Sequence, residues 1–530
     1  LPLRGRNPCP LALREGFEII NQTLLCALQA GRQEERRVTA RNPPLPLPCR
    51  PNNLTSPPNC FKKRDNELSG PYCKEVSERK NMLDIIRERF TESRNRLLAG
   101  IILLCVFSAA AFLSIPATAE SGNYGFSFGF RERLRQTYIK NGFDLNDEGA
   151  DDWNFVRVRS QLWGKWNHRA GWEVYAQINN EHRHWFKSTR GYEDRDFEID
   201  ELVFENLYIS AERIAGSPVS IKAGRQNIMY GEGFLMMDGG PLDGSRTIYF
   251  NALRLKAEME KRFLEFHILY DPAWDRYLPV VNSLQKRLIE REERGAGLYL
   301  VDNSLENKKI EGYYFFKSEE RDQGGRDDIH TVGARLSGSY SEGGRYAGEL
   351  AYQFGDMMGE DRGAIGGYIH SEYRFAALMK PQLGLGLIYL SGDNPDTPEF
   401  EGWNPLYSRW PKWSDLYIYT MASLGRGVAY WENLASVDIS LSLKPNENIG
   451  VDASLYYMTA PEEPVIDSGD PSPAVVGGSE RGLLSILKFS WDYTDYLSGH
   501  LLWERFYPGN YYFDDADPAD FLRCQIYFRY

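Results

Sequence analysis

The chain has 530 residues, a net charge of −12 at pH 7 and a hydrophobic content of 42%. Residues 1–119 carry more Lys and Arg than Asp and Glu, so the remainder is more acidic than the whole chain, and we do not expect it to bind nucleic acid. No stretch after residue 119 is apolar for long enough to form a transmembrane helix, which excludes a helical membrane protein for that part.

Residues 1–81 show no sign of a folded domain. They contain five of the seven cysteines, mixed with prolines and basic residues, and they lack the periodicity of a helix or a strand. The first methionine is Met82. We predict that residues 1–81 are a non-native or disordered upstream segment and that synthesis starts at Met82. A disulfide-bonded N-terminal module is the alternative interpretation.

Residues 82–119 have the three regions of a secretory signal peptide. A basic stretch precedes an apolar run at 97–115, and the run leads into an A-x-A pattern that ends at Ala119. We predict Sec-dependent export with cleavage between Ala119 and Glu120, which leaves residues 120–530 outside the cytoplasm. A membrane-spanning helix is the alternative interpretation of the apolar run.

From residue 120 onward, apolar and polar residues alternate over many short segments. Phe126, Phe128 and Phe130 alternate with glycine, serine and arginine. Side chains two apart in a strand share a face, so each segment has one apolar and one polar face. A transmembrane β-barrel and a soluble β-sandwich both produce this pattern.

The connections between these segments favour the barrel. Short and long connections alternate along the chain, as do the periplasmic turns and outer loops of an outer-membrane barrel. We therefore predict an all-β fold for residues 120–530, a transmembrane antiparallel up-and-down β-barrel of about 18 strands (16–18), with short periplasmic turns and long outer loops. A barrel of this size encloses an aqueous lumen.

The last segment is also typical of such barrels. Apolar residues at even positions from Leu522 to Tyr530 alternate with polar ones, and the chain ends on the aromatic Tyr530. We expect the barrel assembly machinery to recognise this end. Outer-membrane lipid and lipopolysaccharide would surround the barrel, and we expect it to be a monomer.

Several motifs in the predicted barrel resemble those of the alginate export family of Gram-negative outer membranes. One is a strand-to-loop motif followed by a returning strand, in which the family leads us to expect Asp rather than Asn251. The others are a large late loop and the last hairpin. The segments are IKAGRQ at 221–226 with Tyr230 and Gly231, SRT at 245–247 with FNA at 250–252, SGDN at 391–394 with NPLY at 404–407, and FYPGNY at 506–511.

The resemblance implies a monomeric barrel whose arginine-lined pore passes an anionic polysaccharide. The residues are compatible with this function, since several basic side chains fall at inward positions and rings of Arg or Lys select anions. The candidate pore-lining residues are Arg131, Arg133, Arg135, Arg157, Arg159, Lys165, Arg225, Arg246, Arg254, Lys256 and Arg335. The alternative is that they pair with luminal carboxylates and stiffen the wall. Strict alternation puts Arg225 on the lipid face, unless Gly224 marks a bulge that redirects it.

No catalytic, metal or cofactor motif stands out in the sequence. There is no complete nucleophile elbow or phosphate-binding glycine loop, and His182 and His184 have no nearby cysteine or third histidine. We therefore predict a non-enzymatic outer-membrane channel for an alginate-like anionic polysaccharide or its fragments, with no cofactor and no metal. A general or small-solute-selective porin is the first alternative. An outer-membrane hydrolase using His330 or His370 is the second.

Overall fold

The computed structural model describes residues 125–142, 145–147, 152–187, 197–199, 203–237, 249–273, 291–320, 325–357, 359–408, 413–416, 432–463 and 477–530. All of these residues belong to one unit, residues 118–530. The predicted upstream segment (residues 1–81) and the predicted signal peptide (residues 82–119) lie outside the described residues, and both stay predictions.

Eighteen strands pair side by side in chain order, each antiparallel to the next. They are β1 (Gly125–Lys140), β2 (Trp153–Asn167), β3 (Trp172–Lys187), β4 (Val203–Ala211), β5 (Val219–Gln226), β6 (Phe250–Met259), β7 (Arg262–Asp271), β8 (Glu293–Asp302), β9 (Lys308–Glu320), β10 (Arg326–Ser339), β11 (Gly344–Met357), β12 (Glu360–Arg374), β13 (Gln382–Leu390), β14 (Leu434–Asn446), β15 (Ile449–Thr459), β16 (Glu480–Asp492), β17 (Leu497–Pro508) and β18 (Ala519–Arg529).

The sheet closes on itself because β1 pairs with both β2 and β18. The pairing with β18 runs from Arg131 opposite Arg529 to Lys140 opposite Asp520. Tyr530 adds a last pair, since its backbone exchanges two hydrogen bonds with Phe130, at 2.9 and 2.8 Å. The closed barrel leaves no strand edge unpaired along this seam and confirms the predicted count of 18.

The two faces of the strands differ as the alternation predicts. Outward positions carry exposed apolar side chains, such as Leu134, Leu350 and Leu385, of which Leu385 is 63% exposed. Inward positions carry polar side chains that are buried, such as Arg135 and Gln353. An apolar outer face and a polar inner face suit a barrel in lipid, so the soluble-sandwich alternative is wrong. Within the described residues, no helix has the length and apolarity needed to cross a bilayer.

All connections at one end of the barrel are short, whereas the other end carries the long loops as well as the short β9–β10 and β11–β12 connections. Residues 260–261 and 447–448 form two-residue turns at the first end. At the second end, the connection from β5 to β6 covers residues 227–249, and that from β13 to β14 covers residues 391–433. Parts of these two loops fold into the barrel, where residues 236–237 pair in parallel with residues 407–408. The buried apolar cluster lies around them.

Candidate solute pathway

Arginines from neighbouring strands form two rows on the inner face of the barrel. In the first row, Tyr527, Arg133, Arg159 and Glu181 lie opposite one another across β18, β1, β2 and β3. The second row lies two residues further along and consists of Gln525, Arg135, Arg157 and Arg183. Residues two apart in a strand share a face, and antiparallel pairing brings these positions level.

One carboxylate, that of Glu181, lies among three of these arginines. Its oxygens are 3.0 Å from Nε of Arg159, 3.1 Å from Nε of Arg157 and 3.5 Å from Nη2 of Arg133. Arg135 donates from Nε to Oε1 of Gln525 at 2.7 Å. The guanidinium groups are thus held in place by the wall itself and stay charged, because arginine keeps its proton in proteins.

A luminal cavity of about 410 Å³ opens onto this cluster. Its cationic lining residues outnumber the acidic ones, Glu205 and Asp492. The cations are Arg131, Arg133, Arg159, Lys488 and Arg529. We call the inner face of β1–β3 and β16–β18 the basic wall.

The inward-folded part of the β5–β6 loop contacts the opposite side of the barrel. Glu232 lies 2.7 Å from Nη2 of Arg335 and 3.0 Å from Nε2 of His370. Arg335 also bonds to Glu311 and donates from Nε to the Tyr368 hydroxyl at 3.1 Å. Arg335 therefore serves to anchor this loop on β9, β10 and β12. We call the inner face of β6–β12 the anchor wall.

The β13–β14 loop is anchored on the same wall. Lys317, which is 1% exposed, donates to the backbone oxygen of Leu406 at 2.7 Å. Gln353 and Asn404 exchange two hydrogen bonds, at 2.7 and 3.0 Å, through the backbone of Asn404. Arg362 donates to the backbone oxygen of Gly402. These polar contacts leave the apolar side chains of the loop free to fill the lumen.

The two loops also pack on each other at the centre. The rings of Phe234 and Trp403 stack with centroids 5.3 Å apart, and Trp403 is 1% exposed. The Tyr407 amide donates to the Leu235 carbonyl at 3.0 Å, and the Ser408 hydroxyl donates to the Gly233 carbonyl at 2.6 Å. The loops narrow the lumen as one packed body on the anchor wall. Beyond it, Asp415 reaches the basic wall and pairs with Arg523 at 2.9 Å.

The structure separates the sequence-predicted residues into groups. Arg131, Arg133, Arg135, Arg157 and Arg159 lie together on the basic wall. Arg254 lies on β6, where it makes two bonds to Glu265, at 2.7 and 2.8 Å, beside Tyr230. Lys165 and Lys256 are nearer the short turns, 3.9 Å from Glu173 and beside Glu258 respectively. Arg246 lies outside the described residues.

The expectation of a bulge at Gly224 is wrong. Pairing on both sides of β5 runs through Gly224 without a register shift. Arg225 keeps its outward parity near the long-loop end, yet it is 2% exposed. It donates to Asn251 at 3.1 Å and to the Phe204 carbonyl at 3.0 Å. Gly224 is needed because φ is +123° and a Cβ would meet the Leu207 carbonyl at 2.3 Å.

Sequence reasoning missed several residues of the basic wall. Arg183, Lys488, Arg523 and Arg529 are all inward, and for the last three the alternation with apolar neighbours was visible in the sequence. Glu181 was missed because its neighbours come from two other strands. The described residues hold no group of three or more His, Cys, Asp or Glu side chains placed to bind a metal.

The comparisons with known proteins agree with this architecture. The family model for alginate export matches residues 124–517. OccAB2 of Acinetobacter baumannii is similar in structure, with 8% identity and a TM-score of 0.50 over 77% of this chain and 99% of that chain. OccD3 (OpdP) of Pseudomonas aeruginosa has 11% identity and a TM-score of 0.47, over 79% of this chain and 96% of that chain. The outer membrane protein OpdK of the same species has 11% identity and a TM-score of 0.44, over 76% of this chain and 99% of that chain. No curated protein matches the chain.

Proposed function

Since the chain belongs to the alginate export family and is a channel of the Gram-negative outer membrane, we propose that its solute is an anionic polysaccharide, alginate-like, or fragments of one. The solute moves along the basic wall, past the packed loops. We also propose that the channel works as a monomer, surrounded by lipid and lipopolysaccharide. The barrel assembly machinery recognises Tyr530 as it inserts.

The observation that carries this proposal is the arginine cluster around Glu181. Three guanidinium groups lie within 3.5 Å of the Glu181 carboxylate, and Arg131, Lys488 and Arg529 add further cations along the adjoining cavity. A guanidinium presents a planar pair of donors that matches a carboxylate, and such rings make pores selective for anions. A polyuronate carries one carboxylate on each sugar, so it meets the cluster repeatedly as it passes.

A small-solute-selective porin is the second candidate function. It is favoured by the filled lumen, where Phe234, Trp403 and Tyr407 are buried at 0–1% exposure. Such packing leaves a narrower route than an empty barrel of 18 strands. Enzymatic activity has less support, since the buried polar residues of the lumen are engaged in anchoring loops and in the arginine rows.

Planar-bilayer recording tests the proposal. In a salt gradient at pH 7, the reversal potential should show preference for anions over cations. A polyuronate should block the current at lower concentration than a neutral polysaccharide of the same length. Cation selectivity would contradict the proposal. Anion selectivity without polyuronate block would favour the small-solute porin.

A further inference from the structure

We propose that Trp163, Tyr175 and Tyr208 form a stacking surface for the sugar rings of the solute. We call these three side chains the aromatic row. The inference rests on the proposed function and names its substrate class: a carbohydrate acid rather than an anion of another kind. The aromatic row lies on three adjacent strands, β2, β3 and β4.

The aromatic row faces the lumen. Its neighbours along the three strands, Leu162, Val174 and Ile209, are 51%, 37% and 44% exposed on the lipid side. Adjacent residues of a strand point to opposite faces, so the aromatic rings point inward. Each ring is partly exposed to the lumen rather than buried under another loop.

The three rings lie nearly parallel. The centroid of Tyr175 is 6.1 Å from that of Trp163 and 5.2 Å from that of Tyr208, with interplanar angles of 19° and 18°. The hydroxyl of Tyr175 donates to Gln177 at 2.8 Å, and that of Tyr208 donates to Glu173 at 3.0 Å. The rings are therefore held in one orientation before any solute arrives, which lowers the entropy cost of binding.

Trp163 owes its position to a glycine on the next strand. A Cβ at Gly129 would lie 2.6 Å from the indole, so the ring occupies the space that a side chain there would take. The indole lies on the backbone of β1, and Arg131 is the next inward residue of that strand. A cation thus lies beside one end of the aromatic row.

The other end of the row also meets a cation. Lys222 places Nζ 3.8 Å from the centroid of the Tyr208 ring. Lys222 and Glu173 line a luminal cavity of about 480 Å³ that also exposes Arg254 and Lys256. Gln177, at the other end, lines the cavity of the basic wall. The cavity beside Lys222 is lined by four basic and four acidic residues, so the cation that the row meets at that end is Lys222 itself. The aromatic row therefore lies between two luminal cavities and has a cation at each end.

This arrangement matches the chemistry of a sugar acid. A pyranose ring has C–H groups on its faces, and its hydroxyl and carboxylate groups lie around its edge. The parts of the three rings that the stack, Lys222 and β1 leave exposed offer apolar, electron-rich area, which attracts the C–H groups of a sugar face. Carboxylates at the ring edge can then reach the cations at both ends. An acidic peptide or a small dicarboxylate has no such face.

The test compares two double variants at the same two positions, one that keeps the aromatic rings and one that removes them. Y175F/Y208F keeps both rings and removes the hydroxyls, whereas Y175L/Y208L removes the rings. Single-channel recording with an oligouronate and with an oligoglutamate of equal charge measures how long each probe occupies the pore. We expect the leucine variant to shorten oligouronate occupancy roughly tenfold, the scale of one or two lost aromatic contacts. The phenylalanine variant keeps the rings and loses only the hydroxyl hydrogen bonds that orient them, so it should shorten oligouronate occupancy much less than the leucine variant does.

Oligoglutamate block and the reversal potential should be unchanged in both variants. Equal oligouronate occupancy in wild type and the leucine variant would overturn the proposal. If the leucine pair does not yield a folded barrel on gel mobility, the single change Trp163→Leu decides in the same way. A neutral oligosaccharide separates the two proposals. Suppose that block by the neutral oligosaccharide depends on the rings and that the channel shows no preference for anions. The stacking surface would then be supported, and the proposal of an anionic solute would be contradicted.

Discussion

The basic wall and the anchor wall both contain inward arginine and lysine residues, but these residues have different roles in the two walls. On the anchor wall, Arg254, Lys317 and Arg335 each contact carboxylates, and together they hold two loops inside the barrel. On the basic wall, three arginines share Glu181, and two of them, Arg133 and Arg159, line an open cavity. An inward arginine is therefore not a pore residue by parity alone. Its other contacts decide whether it holds a loop, as Arg335 does, or lines the luminal cavity, as Arg133 does.

The largest effect should come from the most buried anchor. Lys317 lies 2.7 Å from Glu293 and 3.0 Å from Glu319, with side chains at most 2% exposed. Removing it in Lys317→Met leaves two buried carboxylates without their shared cation, and we expect a loss of about 3–5 kcal/mol in the free energy of unfolding. Urea unfolding in lipid vesicles measures this.

The matched control is Arg326→Gln. Arg326 and Asp328 form a pair at 3.4 Å with side chains 53% and 36% exposed. An exposed pair contributes less than about 1 kcal/mol. Equal losses in the two variants would mean that the anchors of the loop do not stabilise the barrel.

The second-largest effect is the difference in stability between substitutions on the two faces of β2, a strand of the basic wall. Val158 lies between Arg157 and Arg159 and points to lipid. Val158→Arg should lower the stability of the barrel by roughly 2–4 kcal/mol near the bilayer midplane. Arg159→Gln, one residue away on the luminal face, should cost less in the same urea titration, because Glu181 keeps Arg133 and Arg157 as partners. A reversed order would contradict the assignment of the faces.

Selectivity should respond where stability does not. Arg133→Gln combined with Arg159→Gln should lower the anion preference of the reversal potential and weaken block by a polyuronate. Both effects should fade at 1 M salt, where the screening length falls to about 3 Å. Arg262→Gln, at the short turn between β6 and β7 with Asp302 as its partner, is the control that should change neither. Wild-type selectivity in the double variant would make the arginines structural.

The smallest effect concerns the exposed contacts of Asp147 with Lys140 and Asn141, beside the basic wall. Lys140 and Asn141 bond to Asp147 and hold the pKa of its carboxyl below the ordinary value of 3.8. A lowered pKa stabilises the folded loop above pH 3.8, and this contribution is lost as the pH falls further. Below that pH, the protection of residues 141, 142 and 145–147 against hydrogen exchange should therefore fall, after correction for the intrinsic pH dependence of amide exchange. Asp147→Asn should remove the pH difference, and residues 232–235 should show none.

The barrel could be predicted from the sequence because its signals are local. Alternation with a period of two set the faces of β1, β2 and β18, and the alternation of short and long connections gave the strand count. The loops inside the barrel could not be predicted this way. Glu232 and Arg335 are 103 residues apart. Such contacts depend on which strands stand opposite, and no short-range pattern records that.

The same limit explains the mixed outcome for the candidate residues. Parity correctly placed Arg133 and Arg159 side by side, since they lie on neighbouring strands joined by one loop. It grouped Arg254 and Arg335 with them because parity does not show that Glu265, on the next strand, and Glu232, in the β5–β6 loop, pair with those two. Arg225 shows the reverse case, a buried arginine at outward parity. Its partners Asn251 and Tyr249 belong to the following strand and loop.

The pairing of residues 236–237 with residues 407–408 has a consequence for the order of assembly. The two halves of the constriction are separated in the chain by β6–β13, so the first half lacks its partner until the second has been delivered to the lumen. A barrel in which the two loops have not yet met therefore has a wider lumen than the finished barrel. The constriction is complete only when these two distant stretches of chain have met.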